Sequence, residues 1–410
     1  MVRIHAENLI PGKGPPLRDG CVVLEQKRIR YAGPRDAAPE TPSAQVFQVT
    51  TVMPGLWDCH GHFLGSTSLD FEVVTREPLA VQAARAAKDA ETVLQAGFTS
   101  VREVGGLGIY LKQVVNEGIL QGPHIYSSGA ILSPTGGHAD VHGYPLTWLE
   151  ELRTTGGVFD LCDGVPECLK AVRLQLRRGA DLIKVCTSGG VLSELDNPHH
   201  QQYSDEELHA MVGEAARAER ITAAHCHGEA GIRAALRTGC RTLEHGSFLD
   251  PETARMAADA GAILVPARYI VERMLALRHT LPAYVREKAD LVERRHQASI
   301  RLAHAAGVRI AAGSDAGTAG PDAPTPWSGV GEEFGYLVAA GLSPLDAIEA
   351  GTANGPLTLG ALAPKSGQLC AGYDADVIGV EGNPVADIHV LAQPARISHV
   401  WKEGRLMKGA

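Results

Sequence analysis

The chain has 410 residues, with 47 acidic against 38 basic side chains and a formal net charge of −9. Apolar residues make up 44% and charged residues 21%, an ordinary globular balance that excludes disorder, while the acidic excess argues against a general nucleic-acid binder. No apolar run reaches the ~18 residues of a membrane span, and the opening MVRIHAENLIPGKG has no apolar signal-peptide core, so a cytoplasmic protein without membrane contact is expected. The eight cysteines form no CxxC pair and read as reduced, mostly buried thiols; the outlying number is 17 histidines, several of them clustered.

In chain order, residues 1–53 read as short strands between Gly and Pro breaks: VRIHAENLIPG, DGCVVLEQKRIRYAG and AQVFQVT. Residues 366–410 read the same way, through GQLCAGYDADVIGVEG and ARISHVWKEGRLMKG, so both ends are expected to build one small β-sandwich domain. Residues 54–365 alternate differently. Short apolar runs recur, each followed by a helix-like stretch: GLWDCH, GFTSVREV, HIYSSGAIL, DLIKVCTS, ITAAHCH, TLEHGSF, AILVPARY and VRIAAGSD. Ser204 followed by Glu207 is a capping box opening one of the helices. Eight such alternations predict an α/β fold, a (β/α)8 TIM-like barrel.

A barrel carries its active site at the C-terminal ends of its strands. There the runs end in His60-Gly61-His62, Lys184, His225-Cys226-His227, Glu244-His245 and Ser314-Asp315. His60 and His62 project to one face of a strand, and neutral imidazoles at that spacing can bind one divalent ion. Lys184 shares a face with Leu182 and Cys186; a buried amine must find a partner or lose its charge, and a neutral amine can take up carbon dioxide as a carbamate that bridges two metals. An ion-paired lysine is the plainer alternative. His225 and His245 supply a second ligand set. His227 has the parity of His225, but the chain turns there, which leaves a metal-facing and a substrate-facing place both open. Asp315 suits a ligand that also accepts a proton.

The segment Met53-Pro54-Gly55-Leu56-Trp57-Asp58-Cys59-His60-Gly61-His62, taken with Lys184, His225, His245 and Asp315, resembles the amidohydrolase superfamily, and ADVIGVEGNP and HVWKEGRL resemble its terminal β-domain. The resemblance implies a binuclear hydrolase with two Zn²⁺ per subunit. His60, His62 and Asp315 would hold the α ion, His225 and His245 the β ion, and carboxylated Lys184 would bridge them together with a hydroxide. LIPGKGPPLRDG, SGGVLSELDNP and AHCHGEAGI are similar to the ochratoxin-hydrolysing members and, less closely, to the dipeptidases that cleave Xaa-Pro or Xaa-Arg. That likeness implies a small-molecule or dipeptide-like substrate, a linear amide beside a free α-carboxylate, and a homo-oligomer such as an octamer.

On this reading Asp315 shuttles the proton from water to the leaving amine. His138 donates to the oxyanion, His227 binds the same oxygen or the carboxylate, and Arg268 clamps the carboxylate. The loop 189–202 is a candidate lid, and His199, His200 and Tyr203 are candidates to line the substrate pocket. Three rival functions share the fold. A cyclic-amide hydrolase of imidazolone or hydantoin type would keep the metals and change the loops. A deaminase would usually lack the bridging lysine. A non-catalytic scaffold would have lost ligands that are all present here.

Overall fold

A computed structural model describes residues 1–409. Strands Val2–Leu9, Leu17–Glu25, Arg28–Pro34 and Gln45–Pro54 join Val377–Val380, Ile397–Lys402 and Arg405–Lys408 in one seven-stranded sheet. Gln45–Pro54 is the seam, parallel to Val2–Leu9 on one side and antiparallel to Val377–Val380 on the other. Ile29 N–H donates to Tyr373 O at 2.8 Å and Ala375 N–H to Lys27 O at 2.9 Å, so the sheet curls over its own core of Ile4, Val22, Phe47, Val377 and Trp401. The sandwich drawn from both termini is thus built from one folded-over sheet.

The eight apolar runs all supply barrel strands: Leu56–Ser66, Phe98–Glu103, His124–Ser127, Ile183–Cys186, Thr222–Cys226, Thr242–His245, Ile263–Val265 and Arg309–Ile310. Strands one to three pair in parallel as one ribbon, and strands four to eight as another. Two seams close the ring: Cys59 N–H donates to Ala312 O and Asp181 N–H to Ser127 O, each at 2.8 Å. Ile131–Ser133 continues strand three and pairs with Lys184 and Val185 of strand four. Each strand is buried on both faces by barrel interior and outer helices, which explains unbroken apolar runs in place of strict alternation. The capping box forms as read, with Ser204 Oγ accepting from Glu207 N–H and Glu207 accepting from Ser204 N–H. No cysteine is paired among the described residues, and only Cys370 is exposed. None of the described helices is long and apolar enough to cross a membrane.

Helix Leu79–Gln95 packs against strand one and buries an acid, Asp89, whose Oδ2 lacks a hydrogen-bond partner. Burial pushes the Asp89 carboxyl from 3.8 up to about 7. The folded chain therefore holds a proton there that the unfolded chain releases, and this contribution to stability is lost as pH rises from about 4 through about 7. Asp89→Asn should remove that loss, so its urea midpoint should gain on the wild type across the window. Parallel pH profiles for the two chains would contradict it.

Candidate metal centre and active site

Strand one delivers His60 and His62 to the mouth of the barrel on one face, and Asp315 reaches them from the end of strand eight. Each ring is fixed from behind. His60 Nδ1 donates to Glu244 Oε2 at 2.9 Å, and His62 Nδ1 donates to Gly105 O at 2.7 Å. A carbonyl can only accept, so the proton of a neutral His62 sits on Nδ1 and its Nε2 is bare. That Nε2 lies 3.0 Å from Asp315 Oδ1, and His60 Nε2 lies 3.5 Å from the same oxygen. Lone pairs facing a carboxylate at such range call for a cation between them, which is the chemistry of a metal site. Burial would raise the Asp315 carboxyl, but His60, His62 and Lys184 around it hold it down at about 2.

His225, His227 and His245 form a second group, fully buried, with one ligand atom of each within 4.8 Å of the others. His225 Nε2 is buried without a hydrogen-bond partner, an orphaned polar atom that a cation would satisfy once the ring proton sits on Nδ1. His245 lies 4.9 Å from His60, ring centre to ring centre, which makes the two groups neighbours. Lys184 lines the same cleft, one strand from His225, and burial pushes its pKa down towards a neutral amine. Burial likewise holds His60 at about 4 and His227 at about 3, and keeps His225 and His245 well below the usual imidazole value. Neutral imidazoles beside a buried amine of lowered proton affinity fit a pair of divalent ions. His227 shares the cluster with His225 and His245, so strand five presents both of its histidines.

Several residues of this site escaped the sequence reading. Arg102 of strand two, fully buried, gives Nη2 to both Glu244 oxygens at 2.7 Å. Asp58, two residues before His60 on the same face, accepts from Ser314 N–H and Oγ–H and from His60 N–H, pinning strand eight to strand one. Burial raises Asp58 to about 6 despite these bonds. Their signals were a charged Arg102-Glu103 pair inside an apolar run, and the parity of Asp58 with His60.

Beyond the metal-type groups the cleft, about 880 Å³ with its mouth, is walled by Leu64, Phe71, Ile131, Phe159, Val271 and Met274. His138 reaches it from the turn after strand three, its ring stacked on His225 at 4.1 Å. Ser193 Oγ donates to Asp196 Oδ1 at 2.6 Å, so toward His138 it can only accept, and Nδ1 donates to it at 2.8 Å. Burial holds His138 at about 4, hence neutral with a bare Nε2. It therefore offers the cleft a lone pair, and the expected donation to an oxyanion would need a protonated ring. Loop 189–202 is held down by Lys288, which donates to Ser193 O and Asp196, and its Val191 and Leu192 line the cleft. A Cβ on Gly190 would lie 2.1 Å from the His138 ring, so glycine is required there.

Arg268 is not brought into the cleft. Its backbone opens helix Arg268–Ala276, its Nε and Nη2 donate to Glu272 Oε1 at 2.8 and 2.6 Å while Nη1 is buried without a partner, and Ile270 and Val271 face the cavity instead. Tyr203 is buried against Cys162, and His199 packs on Phe248; neither they nor His200 are among the lining residues.

The amidohydrolase family pattern matches residues 51–407. The sequence is 41% identical over 428 aligned residues to ochratoxinase of Aspergillus niger, spanning 99% of this chain and 86% of that protein. The crystal structure of the A. niger ochratoxinase superposes with a TM-score of 0.93 at 39% identity, covering 100% of this chain and 95% of that one. A prolidase complexed with N-methylphosphonate-L-proline superposes with a TM-score of 0.91 at 32% identity, covering 100% of both chains.

Between the first two histidines, Gly61 lies under the Trp327 ring, and an added Cβ would fall 2.4 Å from it. Trp327 cannot retreat easily, being stacked on Phe63 at 4.3 Å. Gly61→Ala should cost about 1–3 kcal/mol of stability, the usual scale of overpacking, and displace His60 or His62. Denaturant unfolding together with metal analysis checks this; a stable variant with normal metal content would refute it.

Proposed function

This chain belongs to the amidohydrolase family and hydrolyses amide bonds, and from that premise we propose a binuclear zinc enzyme that cuts linear amides next to a free α-carboxylate. The observation that supports it most is the pair of convergent groups, His60-His62-Asp315 and His225-His227-His245, in a cleft that buried Lys184 also lines. His60, His62 and Asp315 would hold one ion and His225 and His245 the other, with carboxylated Lys184 between them. When bound, the two ions would supply a bridging hydroxide at neutral pH and polarise the substrate carbonyl.

The protein's own groups do the rest. Asp315, ionised and half-buried, takes the proton released as water attacks and returns it to the departing amine nitrogen. Its low proton affinity makes position, at 3.0 Å from His62 and 3.5 Å from His60, its main asset as a base. Neutral His138 accepts a hydrogen bond from the substrate or from water through Nε2. With Arg268 outside the cleft lining, the substrate carboxylate is left to His227 and to the positive field of the ions. The apolar wall of Leu64, Phe71, Phe159 and Met274 favours a bulky apolar group on the substrate. This suits an N-acyl aromatic amino acid of the ochratoxin A kind better than a small polar dipeptide.

A substrate screen decides the class: ochratoxin A, N-acyl amino acids, Xaa-Pro and Xaa-Arg dipeptides, and hydantoins as ring-amide controls. Esterifying the α-carboxylate of the best substrate should abolish turnover, and an unchanged rate would end the free-carboxylate reading. Metal analysis should find about two ions per chain. Asp315→Asn should lower kcat by about 10² or more, and Lys184→Ala should lose activity that short carboxylic acids restore. Full activity in either variant would contradict the role given to that residue.

A further inference from the structure

Arg102 touches no cleft-lining group directly, yet it is completely buried beneath the site, a costly place for a guanidinium. All its bonds point at the support of one ligand. Nε donates to Cys59 O at 2.6 Å, the carbonyl just before His60, and Nη1 donates to Thr242 Oγ1 at 2.9 Å. Nη2 donates to both oxygens of Glu244 at 2.7 Å. Thr242 donates in turn to Glu244 Oε1 at 2.5 Å, which leaves Oε2 aimed at His60 Nδ1 at 2.9 Å.

We propose that Arg102 and Glu244 are positioning residues for the metal centre, a buried relay that orients His60 and keeps its proton on Nδ1 so that Nε2 is offered to the ion. The proposal rests on the binuclear reading given above. Its physical content is that a carboxylate behind a ligating imidazole fixes the ring and strengthens the nitrogen on the far side. Glu244 can do so only while its own charge is matched, and the sole guanidinium bonded to it is Arg102. His62 leans on a neutral carbonyl, Gly105 O, so the charged support is specific to His60. The relay should therefore tune one of the two ions and leave the other alone.

The test is a Zn²⁺ titration of the full-length chain against a competing chelator, with a Co²⁺ visible spectrum as second readout. It compares the wild type with Glu244→Gln, Arg102→Lys and the neutralised pair Arg102→Met with Glu244→Gln, which leaves no unpaired buried charge. His62→Ala and His245→Ala identify which ion is which. The expected result is a loss of about 10- to 100-fold in affinity for the ion lost in His62→Ala, the usual scale for such supporting partners. The other ion should stay at wild-type affinity, and Arg102→Lys should recover part of the loss. Glu244→Gln is isosteric and Arg102→Lys keeps the charge, so a folded variant, checked by far-UV circular dichroism, is available if the double variant is not. Both ions bound at wild-type affinity in the folded variants would overturn the relay. A wild type that binds no ion would instead overturn the binuclear reading.

Discussion

The site is governed by desolvation. Six histidines and a lysine crowd the mouth of the barrel, and burial is the largest influence on the proton affinity of His60, His138, His225, His227 and His245, and of Lys184. Burial disfavours the charged form of each, so every one of these proton affinities is pushed down. A neutral imidazole with one nitrogen tied back has only one direction left in which to offer its lone pair. The barrel uses this repeatedly: His60 is tied to Glu244, His62 to Gly105 and His138 to Ser193.

Keeping those lone pairs convergent requires backbone geometry that ordinary strands lack. Strands six and eight, and the turn after strand seven, each place a residue other than glycine in the left-handed region: His245 at φ 69°, Asp315 at φ 60° and Ala267 at φ 52°. Such conformations persist only where surroundings over-determine them. Asp315 N–H is bonded to His60 O at 2.6 Å, the adjacent Ser314 is held by Asp58, and His296 Nε2 donates to His245 O at 3.1 Å. Strain at the ligands is thus offset by hydrogen bonds from neighbouring strands and from helix Ala283–Ala305. The β-domain contributes from outside, since strand Gln45–Pro54 runs almost directly into strand one and fixes where the first histidines emerge.

The fold was legible because it repeats. Eight apolar runs separated by helical periods specify a parallel barrel, and the β-rich ends specify a second domain, from local pattern alone. The metal-type residues were legible for a related reason: polar side chains closing His60-Gly61-His62, Lys184, His225, His245 and Asp315 break that pattern at the end of each strand where a barrel works. What stayed hidden was every partnership across strands. Arg102 drew no sequence reading and His138 read as a donor; the Arg268–Glu272 pair, four residues apart on one helix, was by contrast within reach of a local reading.

Residue type and parity along a strand are properties of consecutive residues, and so the sequence by itself determined the architecture, the side chains available for chemistry and the face each would take. Which nitrogen of His138 carries its proton, and that Arg102 reaches Glu244 across the barrel, depend on register between strands and on closure of the ring. Those contacts span 55 residues for His138 and Ser193 and 142 for Arg102 and Glu244. Only the tertiary structure decides them, because a hydrogen bond falls off within a few tenths of an ångström and no local pattern carries distance at that precision.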